Sequence, residues 1–467
     1  MSKISSIKDL FDPKTIAVIG ASRNHGSVGY GILKNLVKGC VLRCKYCSPF
    51  LGKVFPVNPF ADEILGIKCE KSIMNIKESI DLAIISTPAN IVEKNVNECI
   101  KKKVKGIIIV SAGFSESGEK GKRLQEIIVK RLRKAKIPLI GPNCLGIIKT
   151  SNHLNASFAP SMPPKGNIAF ISQSGALADS IIDWAIEERY GFSSIVSLGN
   201  SASLDASDFI EYFRDDKETK VITLYIEGLQ DGGKFLKIAS KVSKTKPIIA
   251  VKAGKTSKGA KAVSSHTGSL AGDYEIYKAA FKQSKVILAE SIEEMFDIAK
   301  ALVTQPVPKK ESIAIVTNGG GAGVLCADYC SEFGINLAEL DKKTIEELDK
   351  SGVMHPAYSR SNPLDIVGDA LPERYKVAIE TLLSKDYISG LIVIQTLQTM
   401  TDTIEDAKIV IEAHKKYPSK PIICTYMGGK FTKSSVKYLE ENNIPDYNDV
   451  RKSARAMAAL VSRIRKK

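Results

Sequence analysis

The chain has 467 residues, of which 44% are hydrophobic and 25% charged, enough for about three domains at roughly 150 residues each and too apolar for a disordered protein. No stretch approaches the ~20 apolar residues that cross a bilayer, and MSKISSIKDLFDPK carries no apolar signal core, so a cytoplasmic location without membrane contact is expected. The 67 basic and 51 acidic residues leave a charge of +16, which fits a phosphate-rich ligand or an acidic partner as well as nucleic acid. The densest basic stretch, Lys122 to Lys136, interleaves its cations with Leu124, Ile127, Ile128 and Leu132 at helical spacing. It reads as the solvated face of an amphipathic helix, and without aromatic-basic interleaving or zinc-finger spacing no nucleic acid is expected.

Along the chain, short β-branched runs alternate with helical periods, the pattern of parallel α/β domains. Three runs end in a glycine-rich turn that opens a helix: TIAVIGASRNHGSVGYG from Thr15, NIAFISQSGALADSIIDWA from Asn167 and SIAIVTNGGGAGVLCADYC from Ser312. Each reads as the first β-turn-α of a doubly wound domain, where backbone amides and the helix N-terminus receive an anion. The expected domains are 1–150, 151–305 and 306–467, a Rossmann-like domain followed by two related flavodoxin-like domains. VITLYIEGLQ from Val221 is echoed by LIVIQTLQ from Leu391, and KPIIAVKAGK from Lys246 by KPIICTYMGGK from Lys420. SSHTGSLAG, Ser264 to Gly272, occurs only in the earlier copy, and Glu227 there faces Gln395 in the later one.

In the first domain the loop Gly20 to Gly29 lacks G-x-G-x-x-G spacing, and the second strand ends Val57-Asn58-Pro59 without the acidic residue that holds a nicotinamide dinucleotide's ribose. NAD is disfavoured, whereas another phosphate-bearing ligand remains open. Further strand ends bring Ser86-Thr87-Pro88, Ser111-Ala112-Gly113 and Gly141-Pro142-Asn143 to the same C-terminal edge. Between the first helix and second strand, Cys40, Cys44 and Cys47 make a C-x₃-C-x₂-C spacing. An iron–sulfur loop needs a barrel-like context and a zinc clip needs a fourth ligand, so no metal is expected. The nine cysteines are expected as reduced thiols, with Cys326, Cys330 and Cys424 in the core.

The set IGASR, GSVG, FPVNP, STPA, VSAGFSESG and GPNCLG resembles the CoA-binding domain of the succinyl-CoA synthetase superfamily, and more closely the α subunits of ADP-forming acetyl-CoA synthetases. ISQSGALA, SLGNSASLD, YIEGL, SSHTGSLAG, TNGGGAGV and SNPLDIVG carry the resemblance through nearly the whole chain. It implies that Gly20, Ala21, Ser22, Arg23, Gly29, Asn58, Pro59, Ser86, Thr87, Pro88, Ser111, Gly113 and Asn143 contact coenzyme A. It also implies conversion of acyl-CoA, phosphate and ADP to a carboxylic acid, CoA and ATP. The chain shows no phosphate loop of the G-x-x-x-x-G-K-[ST] type and nothing readable as an ATP-grasp domain, so Mg-ADP/ATP is expected on a separate ATP-grasp β subunit in an α₂β₂ assembly. The alternative is a non-enzymatic CoA-binding regulator of the same fold.

His266 is the candidate phosphoryl carrier, in a polar loop that the sister copy lacks. Unprotonated imidazole is nucleophilic at neutral pH, needs an acceptor for its other ring N–H, and needs donors for the transferred group. Glu227 at a strand end is the expected acceptor. Gln173, Ser174, Gly175 and Ala176, at the start of a helix, are the expected phosphate donors. His25, His153, His355 and His414 read as loop, core or surface residues.

Overall fold

The computed structural model describes residues 3–267 and 272–464; side chains of residues 3–6 and 264–267 lie outside that description. The chain divides into two compact units, residues 1–291 and 292–467.

The first unit opens with α1 (Lys3–Phe11), β1 (Thr15–Ile19), α2 (Val28–Lys38), β2 (Lys53–Val57), β3 (Leu82–Ile85), α3 (Ala89–Lys102), β4 (Gly106–Ile109), α4 (Glu119–Ala135) and β5 (Leu139–Ile140). Its five strands are parallel in the order β2-β1-β3-β4-β5. LAII and GIII are apolar throughout because helices cover both faces of a parallel sheet, and every residue of both is buried. Strand order reverses between β1 and β3, the place where such sheets open a crevice. A Cβ on Gly29, in the first turn of α2, would lie 2.0 Å from the Gly20 carbonyl oxygen, so glycine lets the helix start hard against the β1 turn. The cations between Lys122 and Lys136 all lie exposed on or just after α4, with Ile128 and Leu132 buried beneath.

A second sheet in this unit comprises β6 (Gly146–Lys149), β7 (Leu154–Ser157), β8 (Lys165–Ser172), β9 (Phe192–Ser197), β10 (Val221–Ile226), β11 (Ile248–Lys252) and β12 (Ile287–Leu288). It is ordered β12-β11-β10-β8-β9-β6-β7, antiparallel only at β9/β6 and β6/β7. Its helices are α5 (Gly175–Glu188), α6 (Ala206–Asp215), α7 (Gly232–Val242), α8 (Ser257–Thr267) and α9 (Tyr274–Gln283). The limit drawn at residue 150 crosses the β6–β7 hairpin, which extends the second sheet and also packs under α2. There the buried Asn35 amide donates to the Ser157 and Ala159 carbonyls at 2.9 and 2.8 Å. The two sheets share one hydrophobic core.

The second unit contains α10 (Ile292–Thr304), β13 (Ser312–Thr317), α11 (Gly320–Glu332), β14 (Asn336–Leu337), α12 (Lys342–Lys350), β15 (Leu364–Asp365), α13 (Pro372–Ser384), β16 (Gly390–Thr396), α14 (Thr403–Lys416), β17 (Ile422–Met427), α15 (Lys433–Glu441) and α16 (Val450–Val461). The sheet runs β14-β13-β16-β17, with β15 also beside β13. Helix α10, assigned by sequence to the middle domain, packs with this unit: Tyr447 Oη donates to the Asp297 carbonyl at 2.6 Å, and the Ile422 N–H donates to Gln305 Oε1 at 2.9 Å.

Two local expectations need correction. Cys40 and Cys47 form a disulfide, not free thiols, because the turn after α2 brings their Cα atoms to 5.7 Å, within bridging range. Cys44 Sγ lies 3.2 Å from Cys47 Sγ, and the loop is anchored by the Leu42 N–H on the Pro160 carbonyl at 2.7 Å. Cys326, Cys330 and Cys424 are free and buried. Secondly, the segment read as a loop around His266 is helical through Thr267. Lys258, Ala260, Lys261 and Ala262 are good helix formers that outweigh Gly259 and the serines after them.

Candidate functional site

The C-terminal edges of the first unit's two sheets meet around a cavity of about 720 Å³. Backbone pairing joins them: Leu204, Ala202 and Asn200 N–H groups donate to the Leu139, Gly141 and Pro142 carbonyls at 3.3, 3.2 and 2.9 Å. Gly199, at φ +54°, makes the approach possible, since a Cβ there would lie 2.3 Å from the Pro142 oxygen. Asn143, Gln173, Ser174, Gly175, Ala176 and Glu227 all line the cavity, together with Val110, Leu145, Phe158, Asp179 and Glu116.

Ser174 caps α5, its hydroxyl accepting from the Leu177 N–H at 3.3 Å. The Gly175 and Ala176 amides are therefore the first two of the helix, without intrahelical acceptors, and they sit on the cavity at the positive end of the helix dipole. Gln173 acts differently. Its side-chain oxygen accepts from the Glu227 and Gly228 N–H groups at 2.6 and 3.0 Å, and its amide nitrogen donates to the Gly228 carbonyl at 2.8 Å. Gln173 is a staple that fixes the end of β10, and so positions Glu227.

Glu227 is 6% exposed. The Tyr225 phenol hydrogen-bonds it, and burial together with Glu227 pushes that phenol up to about 12. Lys252, buried beneath, lies 4.5 Å from the Tyr277 ring centre. Burial lowers its ammonium pKa, while Glu227 works in the opposite direction. Helix α8 follows β11 and runs beside the turn Ser115–Ser117, which carries cavity-lining Ser115 and Glu116. His266 belongs to the last turn of α8; its side chain, like Gly268 to Ala271, lies outside the described residues.

The residues expected to contact CoA all lie at the C-terminal edge of the first sheet, but only Asn143 among them lines the cavity. Several use their side chains to hold the edge together. Asn58 Nδ2 donates to the Ala21 carbonyl at 2.7 Å, Ser86 Oγ to the Ile19 and Gly20 carbonyls at 3.2 Å, and Ser111 Oγ to the Thr87 carbonyl at 2.5 Å. Ala21 is fully buried. Gly29 is buried too, whereas Arg23, Pro59, Pro88 and Asn143 are exposed and the other residues of the set partly exposed, so the accessible part of the edge is formed by these exposed residues and the loop amides.

Sequence reading missed Glu116, Asn200 and Asp179. Glu116 accepts from the Gly113 N–H at 2.6 Å and from Asn200 Nδ2 at 2.5 Å. Burial would raise its pKa, but the Asn200 side chain and the Phe114 and Gly113 amides outweigh it and hold the carboxyl below its usual range. Asn143 Nδ2 donates in turn to Asn200 Oδ1 at 3.3 Å, so one polar network spans both sheets. Glu116 and Asn200 lie inside the motifs VSAGFSESG and SLGNSASLD, which were the available signal. Asp179 carried none.

Comparison with known proteins matches residues 14–150 to a CoA binding domain, 165–302 to a succinyl-CoA ligase like flavodoxin domain and 313–465 to a ligase-CoA domain. Over 97% of its length the chain is 44% identical to the α subunit of acetate–CoA ligase (ADP-forming) II of Pyrococcus furiosus, covering 96% of it. The chain belongs to the ADP-forming acetate–CoA ligase family. It is 46% identical to another family member, acetate–CoA ligase (ADP-forming) of Methanocaldococcus jannaschii, and spans 63% of that relative's length. A solved family structure, the dinucleotide forming acetyl-coenzyme A synthetase 1 of Ca. Korarchaeum cryptofilum in complex with phosphate and ADP, superposes with a TM-score of 0.91 at 38% identity, covering 98% of this chain and 96% of that one. The CoA-binding domain followed by two further α/β domains is thus the family architecture expected from sequence.

Proposed function

We propose that this chain is the α subunit of an ADP-forming acyl-CoA synthetase of the cytoplasm. Phosphate held on the Gly175 and Ala176 amides attacks the thioester carbonyl; the C–S bond breaks, CoA leaves as its thiolate, and an acyl phosphate remains. An unprotonated nitrogen of His266 then attacks phosphorus, the P–O bond to the acyl group breaks, and the carboxylate departs. Glu227 accepts the hydrogen bond of the other ring nitrogen, fixing the tautomer and stabilising the charged ring. The phosphohistidine passes its phosphoryl group to the terminal phosphate oxygen of ADP, giving ATP. Mg-ADP is assigned to an ATP-grasp β subunit in an α₂β₂ assembly, and CoA to the exposed strand-end loops of the first sheet.

One observation carries this reading: the CoA-side sheet edge, the bare amides of α5 and the buried Glu227 carboxyl share a single cavity. The test is incubation with acyl-CoA and labelled phosphate. Acid-labile, base-stable label on the wild-type chain, absent from His266→Ala, is expected; equal labelling of both sinks the proposal. ATP formation is expected only when the β subunit is added.

A further inference from the structure

Asp179 lies four residues beyond Gly175 on α5, so the two share a helix face about 6 Å apart along the axis. Both line the cavity. Asp179 Oδ1 is buried and has no hydrogen-bond partner. No lysine, arginine or histidine lines the cavity among the described residues, and Val110, Leu145 and Phe158 supply apolar wall. Burial pushes the Asp179 carboxyl up to about 7. A buried polar atom left unpaired costs about 1–3 kcal/mol, and a cavity is where a ligand offsets that cost.

We propose that Asp179 is the specificity residue of an acyl-group subsite that takes short carboxylic acids bearing a hydroxyl on their carbon chain. The inference rests on the function proposed above. With the phosphoryl group of the acyl phosphate on the Gly175 and Ala176 amides, the acyl chain is the part of the intermediate left to extend one helical turn along α5. A hydroxyl both donates and accepts, so it pairs with the carboxyl whether or not the carboxyl holds its proton. A plain alkyl chain leaves Oδ1 unpaired, and sites built to bond a substrate hydroxyl discriminate strongly against analogues that lack it.

The test uses the α subunit with its β subunit and measures kcat/KM for acyl-CoA formation with 3-hydroxybutyrate and with butyrate. The wild type is expected to prefer the hydroxy acid by about tenfold or more. Asp179→Leu is expected to reverse the preference by losing the hydroxy acid and gaining butyrate. Asp179→Asn, which keeps polar atoms at the site and guards against a folding defect, retains a preference for the hydroxy acid. An unchanged ratio in Asp179→Leu overturns the proposal. So does an equal loss on both acids with a raised KM for phosphate, which would assign Asp179 to the phosphate. Phosphate label on wild-type His266 from ATP reports the underlying mechanism separately: if label forms and the acid preference fails, only the subsite is wrong.

Discussion

The two flavodoxin-like copies carry the same joint with different contents. In the first, Ser172 Oγ donates to the Ser174 carbonyl at 2.7 Å; in the second, Thr317 Oγ1 donates to the Gly319 carbonyl at 3.0 Å. The staple repeats as well. Asn318 accepts from the Thr396 N–H at 2.7 Å and donates to the Thr396 carbonyl at 2.9 Å, as Gln173 does with Gly228. Beyond the staple they diverge. Glu227 lines an open cavity, whereas Gln395 is fully buried and donates to Asp406 Oδ2 at 2.7 Å. The joint is scaffold, and the chemistry we propose falls on the first copy, with its carboxylate at the strand end, the cavity before it and the histidine-bearing helix α8.

Exchanging those contents gives the largest effects. Glu227→Gln, which makes the first copy like the second, is expected to lower turnover by about 100-fold or more while the thermal transition stays in place. Gln395→Glu should leave turnover alone but set a second carboxyl against Asp406 in a buried site, costing about 3 kcal/mol in denaturant unfolding. Removing either staple, by Gln173→Ala or Asn318→Ala, should cost about 1–2 kcal/mol. Only the former should also reduce kcat/KM, by about tenfold, because it alone positions the proposed catalytic carboxylate. If both staple variants reduce activity equally, the division of labour between the copies is wrong.

The two copies share one pH response. Burial pushes both Asp179 and Asp406 up to about 7. A carboxyl whose pKa is higher folded than unfolded gives the folded state the extra proton. Its contribution to stability is therefore fullest below about pH 4, declines between about pH 4 and about pH 7, and is lost above that. Asp406→Asn should flatten this decline in the second unit by about 2 kcal/mol, measured by urea unfolding at about pH 5 and about pH 8. Finally, alkylation of the unreduced, denatured chain should label seven of the nine cysteines, and all nine after reduction.

The fold was legible because three β-branched runs, each followed by a small-residue turn and an amphipathic period, leave little choice but parallel α/β units. The Glu227/Gln395 contrast was legible from the internal repeat alone. The role of Gln173 was not, since a glutamine in a phosphate-loop-like turn reads as a donor until the partner strand end is seen to occupy it. The Cys40–Cys47 bridge depends on how the chain reverses after α2, and Asp179 on which face of α5 looks into the cavity. Neither is fixed by local sequence. The packing of α10 with the second unit is likewise a tertiary outcome, set by contacts to Tyr447 and Ile422 more than a hundred residues away.

The most direct test of the central claim is to locate, by mass spectrometry under alkaline conditions, the phosphoryl group that acetyl phosphate leaves on the chain. The account predicts one modified residue, His266, with occupancy falling sharply in Glu227→Gln and unchanged in Gln395→Glu. Phosphate on any other residue, or equal occupancy in Glu227→Gln, would contradict it.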